Sequence, residues 1–127
     1  MNYLLDTTVL VDVLRGKQNR RKLLADLIRA GHTLATGVIN IAEVYAGMRP
    51  TEAQATSDFL SDLECFPVSV AVAQRAGTLK YTAARSGKTL ALADMLVAAT
   101  ALEHDCILLT DNRKDFPLPE LTFHDLP

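Results

Sequence analysis

Asp6, Glu43, Asp94 and Asp115 are the acids whose surroundings suggest chemistry. Asp6 abruptly ends the apolar run Asn2–Leu5, and Asp94 interrupts Leu90-Ala91-Leu92-Ala93-Asp94-Met95-Leu96, with Val97 and Ala98 as its same-face neighbours on a helix. Glu43 lies in Asn40-Ile41-Ala42-Glu43-Val44, and Thr110-Asp111-Asn112, with Asp115 just beyond, follows the apolar run Cys106–Leu109. A carboxylate on an apolar face must be neutralised, hydrogen-bonded or bound to a cation, because burying it bare costs several kcal/mol. Hard oxygen donors without His or Cys beside them suit Mg2+ or Mn2+ and make a poor zinc site. Metal ions on shared carboxylates can activate a water and stabilise the leaving oxygen of a phosphodiester, so phosphoryl hydrolysis is the reaction class this pattern points to.

Each acid also has an ordinary explanation. Asp94 in a first helical turn complements the macrodipole, an effect of roughly 0.3–1 kcal/mol. Asn40 to Glu43 has the spacing of a capping box with Asn40 opening the helix. Asp6, Thr7 or Thr8 can cap the helix that contains Val9, and Asp115 can be a solvated loop acid. Their shared placement argues for a common cause, since each falls at the carboxyl end of a strand or in the first turn of a helix near that end.

The elements that position them alternate along the chain. Asn2–Leu5 reads as a buried strand, and a helix with Val9, Leu10, Val13 and Leu14 on its apolar face ends at Gly16. A second helix spans Arg20 to Ala30 and closes at Gly31, Thr33 to Thr36 is a strand, and a third helix runs from Asn40 to about Gly47. Pro50 breaks the chain, and Thr51 starts a helix with Ala55, Phe59, Leu60 and Leu63 on one face. Cys65–Val68 is a strand, Ser69 caps a long helix that reaches Ser86 and stops at Gly87, and Leu90 to His104 is a helix striped by Leu92, Leu96, Ala99 and Leu102. Cys106–Leu109 is the next strand, and Leu121 to Phe123 is a candidate for one more. Such alternation predicts an α/β fold with a mostly parallel sheet covered by helices on both faces, in which function gathers at the carboxyl ends of the strands.

Length and composition narrow the class. A chain of 127 residues with 49% apolar and 22% charged residues predicts one domain spanning 1–127 with a packed core, and excludes disordered, collagenous and coiled-coil chains. Cys65 and Cys106 each precede an apolar stretch and read as core thiols of a reducing compartment. With neither a basic, apolar leader nor a membrane-length apolar run, the expected location is cytoplasmic. Thirteen Lys+Arg against 15 Asp+Glu give net charge −2, so nucleic-acid contact would need a local basic patch.

Leu4-Leu5-Asp6-Thr7-Thr8-Val9-Leu10, Asn40-Ile41-Ala42-Glu43-Val44-Tyr45-Ala46-Gly47, Leu92-Ala93-Asp94-Met95-Leu96-Val97-Ala98-Ala99-Thr100-Ala101 and Leu108-Leu109-Thr110-Asp111-Asn112-Arg113-Lys114-Asp115-Phe116 follow one another in an order that spans nearly the whole chain. In this the chain resembles a PIN-domain ribonuclease of the VapC toxin type. The resemblance implies a three-layer α/β/α sandwich and an Mg2+- or Mn2+-dependent endoribonuclease that cuts single-stranded or loop RNA and leaves a 5′-phosphate. Asp6, Glu43 and Asp94 fall on the family's first three acidic positions. Many relatives carry an aspartate where Asn112 stands and another acid just before the phenylalanine, which makes Asp115 the expected fourth acid, with Asp111 as an extra acid beside it. Asp6, Asp94 and Asp115 are then the expected metal ligands and Glu43 a ligand or base. Thr7 and Thr110 match supporting hydroxyls. The resemblance further implies a homodimer and a small DNA-binding antitoxin that plugs the acidic groove, often with an arginine, whose fork suits a carboxylate cluster.

Arg15, Lys17, Arg20, Arg21 and Lys22, with Arg113 and Lys114, are the candidate phosphate contacts, although a solvated helix face explains such residues as well. Aromatic residues are only 6%, which leaves little for base stacking. Tyr45, Met48, Phe59 and Tyr81 fit the core or a dimer interface, and His32, His104 and His124 have no evident role. Two rival readings differ in class. A phosphoacceptor receiver domain needs paired acids after the first strand and an acceptor aspartate after the third, but Asp6 stands alone and Cys65-Phe66-Pro67-Val68-Ser69 offers none. A catalytically weak binding module of the same fold is favoured by Asn112 and opposed by the joint presence of Asp6, Glu43 and Asp94.

Overall fold

The computed structural model describes residues 1–127. Four short strands, β1 (Asn2–Leu5), β2 (Thr33–Gly37), β3 (Glu64–Phe66) and β4 (Cys106–Leu109), form one sheet in the order β3-β2-β1-β4. Every pairing is parallel, with Tyr3 opposite Leu34 and Ile107, and Thr36 opposite Cys65. Six helices connect and cover the strands: α1 (Thr7–Leu14), α2 (Arg20–Arg29), α3 (Val38–Gly47), α4 (Ala53–Ser61), α5 (Val70–Arg85) and α6 (Leu92–Glu103). This is the three-layer α/β/α arrangement the alternating pattern predicts. No helix is long and apolar enough to cross a membrane.

The strand period of two divides the core into two halves. Tyr3, Leu5, Leu34 and Leu109 pack with Val9, Leu10 and Val13 of α1, Leu24 and Leu27 of α2 and Leu60 of α4. Leu4, Ala35 and Leu108 face the other way, toward Val72 and Ala76 of α5 and the buried run Val97–Ala99 of α6. Because both faces are covered, the strands read as continuous apolar runs. At Gly31 and Gly87, where helices were expected to stop, φ is 88° and 82°, the left-handed conformation that glycine adopts without a Cβ clash. Ser69 caps α5, its hydroxyl accepting from the Val72 N–H at 3.1 Å.

Several expectations need correction. Helix α3 starts at Val38 directly after β2, not at Asn40, so Asn40 sits inside the first turn and does not open a capping box with Glu43. The Asn40 side-chain oxygen Oδ1 instead accepts from the Gly37 N–H at 3.3 Å. Helix α6 starts at Leu92, two residues later than expected, and the predicted stripe is only part of its buried surface: Leu92 is 50% exposed and Leu96 and Leu102 are half-buried against the core, whereas Ala99 is buried together with Met95, Val97, Ala98, Thr100 and Ala101. Packed between α5 and the sheet, α6 is covered on more than one side, which erases a simple amphipathic pattern. Strand β3 ends at Phe66 because Pro67 has no N–H to continue the ladder. As β3 is an edge strand whose Phe66 turns into the core, Cys65 points outward and is exposed, while Cys106 is buried and its thiol is pushed up to about 11, mainly by burial. Leu121–Phe123 contributes only a single parallel bridge, between Leu108 and Phe123. Pro50 opens a short 3-10 turn, Pro50–Glu52, that leads into α4.

Candidate active site

Parallel pairing of β1 with β4 brings residues 104 positions apart into contact. The Asp6 N–H continues the ladder past β1 to the Leu109 carbonyl at 2.9 Å, which sets Asp6 beside Thr110. The Thr110 hydroxyl donates to Asp6 Oδ2 at 2.7 Å and accepts from the Asn112 N–H at 3.0 Å. On the other side, the fully buried Asn40 divides its amide between Asp6 Oδ1 at 3.1 Å and the Thr7 hydroxyl oxygen at 3.0 Å. Thr7 in turn donates to Glu43 Oε1 at 2.7 Å. One hydrogen-bonded chain therefore runs from Asn112 through Thr110, Asp6, Asn40 and Thr7 to Glu43, joining the ends of β1 and β4 to the first turns of α1 and α3. Thr36 braces this edge by donating to the Leu5 carbonyl at 3.0 Å.

The acids repel one another across this edge. Burial raises the Asp6 carboxyl, and Glu43 adds to the rise, against hydrogen bonds from Thr110, the Thr7 N–H and Asn40 that hold the charged form down. Burial likewise raises the Asp94 carboxyl, followed by the charges of Asp115, Asp6 and Glu43. Asp94 lies in the first turn of α6 and Asp115 in the 3-10 turn Arg113–Asp115 after β4. Asp6 and Asp94 are thus held where ionisation is opposed, an arrangement that a cation would relieve.

The donor set passes the chemical test for a hard divalent cation. Asp6 accepts three hydrogen bonds, from Thr110, Asn40 and the Thr7 N–H, and retains lone-pair capacity for a cation, while the Asp94 carboxylate makes no protein hydrogen bond. No three acidic side chains close into a ready-made ligand cage. Mg2+ needs none, since it retains several waters and binds through one or two carboxylates.

The comparisons with known proteins decide the family. The model of the PIN domain matches residues 3–118. The chain belongs to the PIN domain family. Ribonuclease VapC19 of Mycobacterium tuberculosis is 37% identical over 119 residues, covering 93% of this chain and 95% of that protein. Ribonuclease VapC10 of the same organism is 35% identical over 117 residues, covering 92% and 87%. Among solved structures, VapBC2 from Rickettsia felis bound to a promoter DNA fragment superposes with a TM-score of 0.86 at 26% identity over the full length of both chains.

Within this PIN domain the remaining candidates separate. Asp111 turns away from the acids: the Arg20 guanidinium donates to its Oδ1 at 2.7 Å and to the Pro127 carbonyl at 3.1 Å. Arg20 is only 3% exposed, so this residue, expected on a phosphate-binding patch, is an internal clamp and is corrected accordingly. Arg21 donates to the Val13 and Leu14 carbonyls at 2.8 and 3.0 Å, capping the end of α1. Arg15 pairs with Glu52, Lys22 with Asp26, and Arg113 with Asp125 while also lying over the Phe123 ring. Lys17 and Lys114 make no ion pair. The residue whose role sequence reasoning missed is Asn40. Its signal was a lone amide in the apolar run Val38-Ile39-Asn40-Ile41, one helical turn before Glu43.

Proposed function

We propose that this PIN domain is a metal-dependent endoribonuclease and the toxin of a toxin–antitoxin pair, hydrolysing phosphodiester bonds of single-stranded or loop RNA. The observation that carries the reading is the hydrogen-bonded chain that holds Asp6 and Glu43 at the carboxyl end of the sheet, with Asp94 near enough for the charges of Asp115, Asp6 and Glu43 to act on it. The names of the ribonuclease relatives and the VapBC structure support it. Asp6, Asp94 and Asp115 are the proposed ligands of Mg2+, for which Mn2+ can substitute. When bound, the metal supplies positive charge at the scissile phosphate and lowers the pKa of a water.

The protein's own groups do the positioning. Thr110 and Asn40 hold the Asp6 carboxylate from both sides, fixing the direction of its free lone pairs. Thr7 holds Glu43 Oε1 and leaves Oε2 to orient the attacking water and take its proton. Water oxygen bonds to phosphorus as the P–O3′ bond breaks, which gives a 5′-phosphate and a 3′-hydroxyl. Asp115 is assigned as the fourth acid over Asp111, because its charge acts on Asp94 while Asp111 is engaged by Arg20. A small DNA-binding antitoxin and a second copy of this chain are the proposed partners, in the cytoplasm.

Cleavage of total RNA by protein freed of any co-purifying partner tests the reading, with Mg2+, Mn2+ or EDTA and with the Asp6→Asn and Asp94→Asn variants alongside. Metal-dependent cuts lost in both variants are expected. Cuts that persist in EDTA or in either variant would overturn the assignment.

A further inference from the structure

A pocket of about 150 Å³ opens between α1, α3 and the Pro50–Glu52 turn, with Glu43 on its wall. Val11, Leu14 and Met48 supply apolar walls, and Arg15 and Glu52 supply a polar edge. Sites for drug-sized ligands span about 300–1,000 Å³, so this volume suits one ring-sized group. Arg15 stands eight residues beyond Thr7, about 12 Å along α1 from the acids, within reach of a nucleotide next to the one being cut.

The polar edge specifies the ring. Arg15 donates through Nε and Nη2 to the two oxygens of Glu52 at 3.2 and 3.3 Å, and Glu52 Oε1 also accepts from the Arg49 N–H at 2.8 Å. Glu52 therefore fixes one edge of the guanidinium. The outer fork, formed by Nη1 and the second N–H of Nη2, is uncommitted and parallel in its two donors. Arg15 and Glu52 are together neutral, and Glu43 adds negative charge beside them, so the site disfavours a phosphate. It favours an uncharged ring with two adjacent acceptors. Guanine presents that pair as O6 and N7 and cytosine as O2 and N3, whereas adenine places an amino donor where guanine has O6; of the two, the fused rings of guanine cover more of the apolar wall.

We infer that this pocket seats a guanine base of the RNA beside the scissile bond and that Arg15, held in place by Glu52, reads its O6 and N7. The inference deepens the nuclease reading and rests on it for the position of the cut. The pocket-filling group enters against Val11, Leu14 and Met48, so selectivity comes from the Arg15 fork and affinity from the apolar walls.

The test is equilibrium binding of fluorescent RNA decamers to the Asp94→Asn protein, each decamer being adenosine throughout except for one guanosine, inosine or 7-deazaguanosine, with an all-adenosine control. Arg15→Gln and Gly47→Leu are introduced separately. The latter places an apolar side chain on the pocket wall from a position where a Cβ meets no atom within 4 Å. Guanosine and inosine should bind about tenfold more tightly than adenosine, 7-deazaguanosine should fall to the adenosine level, and each variant should abolish the preference. Equal affinities for all four RNAs would overturn the inference, as would a guanosine preference that survives in a folded Arg15→Gln protein. Wild-type cleavage of the same RNAs in Mg2+ separates the two readings: guanosine-selective binding without any cut supports the pocket and counts against the nuclease.

Discussion

Two aspartates illustrate how neighbours decide what a carboxylate contributes. Asp94 has no hydrogen-bond partner and faces Asp115, Asp6 and Glu43, so its carboxyl is raised. A raised acid contributes most to stability below its unfolded pKa, near 4, and this contribution is lost as pH rises through the folded value. At neutral pH without metal, Asp94→Asn is therefore expected to melt above the wild type, with the gap closing as pH falls below the ordinary carboxylate value and narrowing when Mg2+ is added. Thermal melts across that pH range check it, and a destabilised variant at pH 7 in EDTA would contradict the crowding of charge described above. Asp111 works in the opposite direction. It is the short-range partner of a buried guanidinium, and Asp111→Ala should cost about 2–3 kcal/mol, somewhat less than loss of a fully enclosed ion-pair partner because Asp111 is itself partly exposed. Urea denaturation of the two variants side by side measures both signs.

At the scale of elements, the site depends on where α3 begins. Because β2 runs into α3 without a loop, Asn40 lands inside the first turn and holds Asp6, just past β1, and Thr7 of α1 together. Asn40→Ala strands these acceptors and the Gly37 N–H, and should lower stability by about 1–3 kcal/mol and turnover by about tenfold or more, read by melting and by single-turnover cleavage. The order of strands and helices was legible in the sequence because parallel strands are continuous apolar runs and because Gly31, Gly87 and Ser69 punctuate the helices. Asp6 stood out as a charge at the end of an apolar run and Asp94 as a charge inside one, whereas Glu43 and Asp115 stood out only through the motifs around them. Helix starts were less legible. Val38 and Ile39 look equally at home in a strand or a helix, which hid the junction at Gly37, and the enclosed α6 carries no single stripe to mark its buried side. The fate of the basic residues was invisible, since Arg20 and Arg21 reach their partners only through tertiary contacts with Asp111 and with the end of α1.

Across the whole molecule, tertiary contacts consume most of the candidate phosphate-binding residues: Arg15, Arg20, Lys22 and Arg113 are ion-paired, and Arg21 is engaged by the Val13 and Leu14 carbonyls. With Lys17 and Lys114 as the candidates that remain uncommitted, and two phosphates neutralised, the slope of log K against log salt for single-stranded RNA should be about −1.4. A slope several times steeper, in a filter-binding titration, would show that more of the basic residues reach the backbone. The same global architecture also governs timing. The hydrogen bond from Thr110 to Asp6 spans 104 residues, and β1 gains its β4 neighbour only after nearly everything else has been made. At about 5–20 residues per second, roughly 5–20 s separate synthesis of the first acid from synthesis of the threonine that holds it. In the proposed nuclease, a growing chain on the ribosome would therefore lack a complete acidic site, and this interval would be available for making the proposed partner before the finished polypeptide can cut.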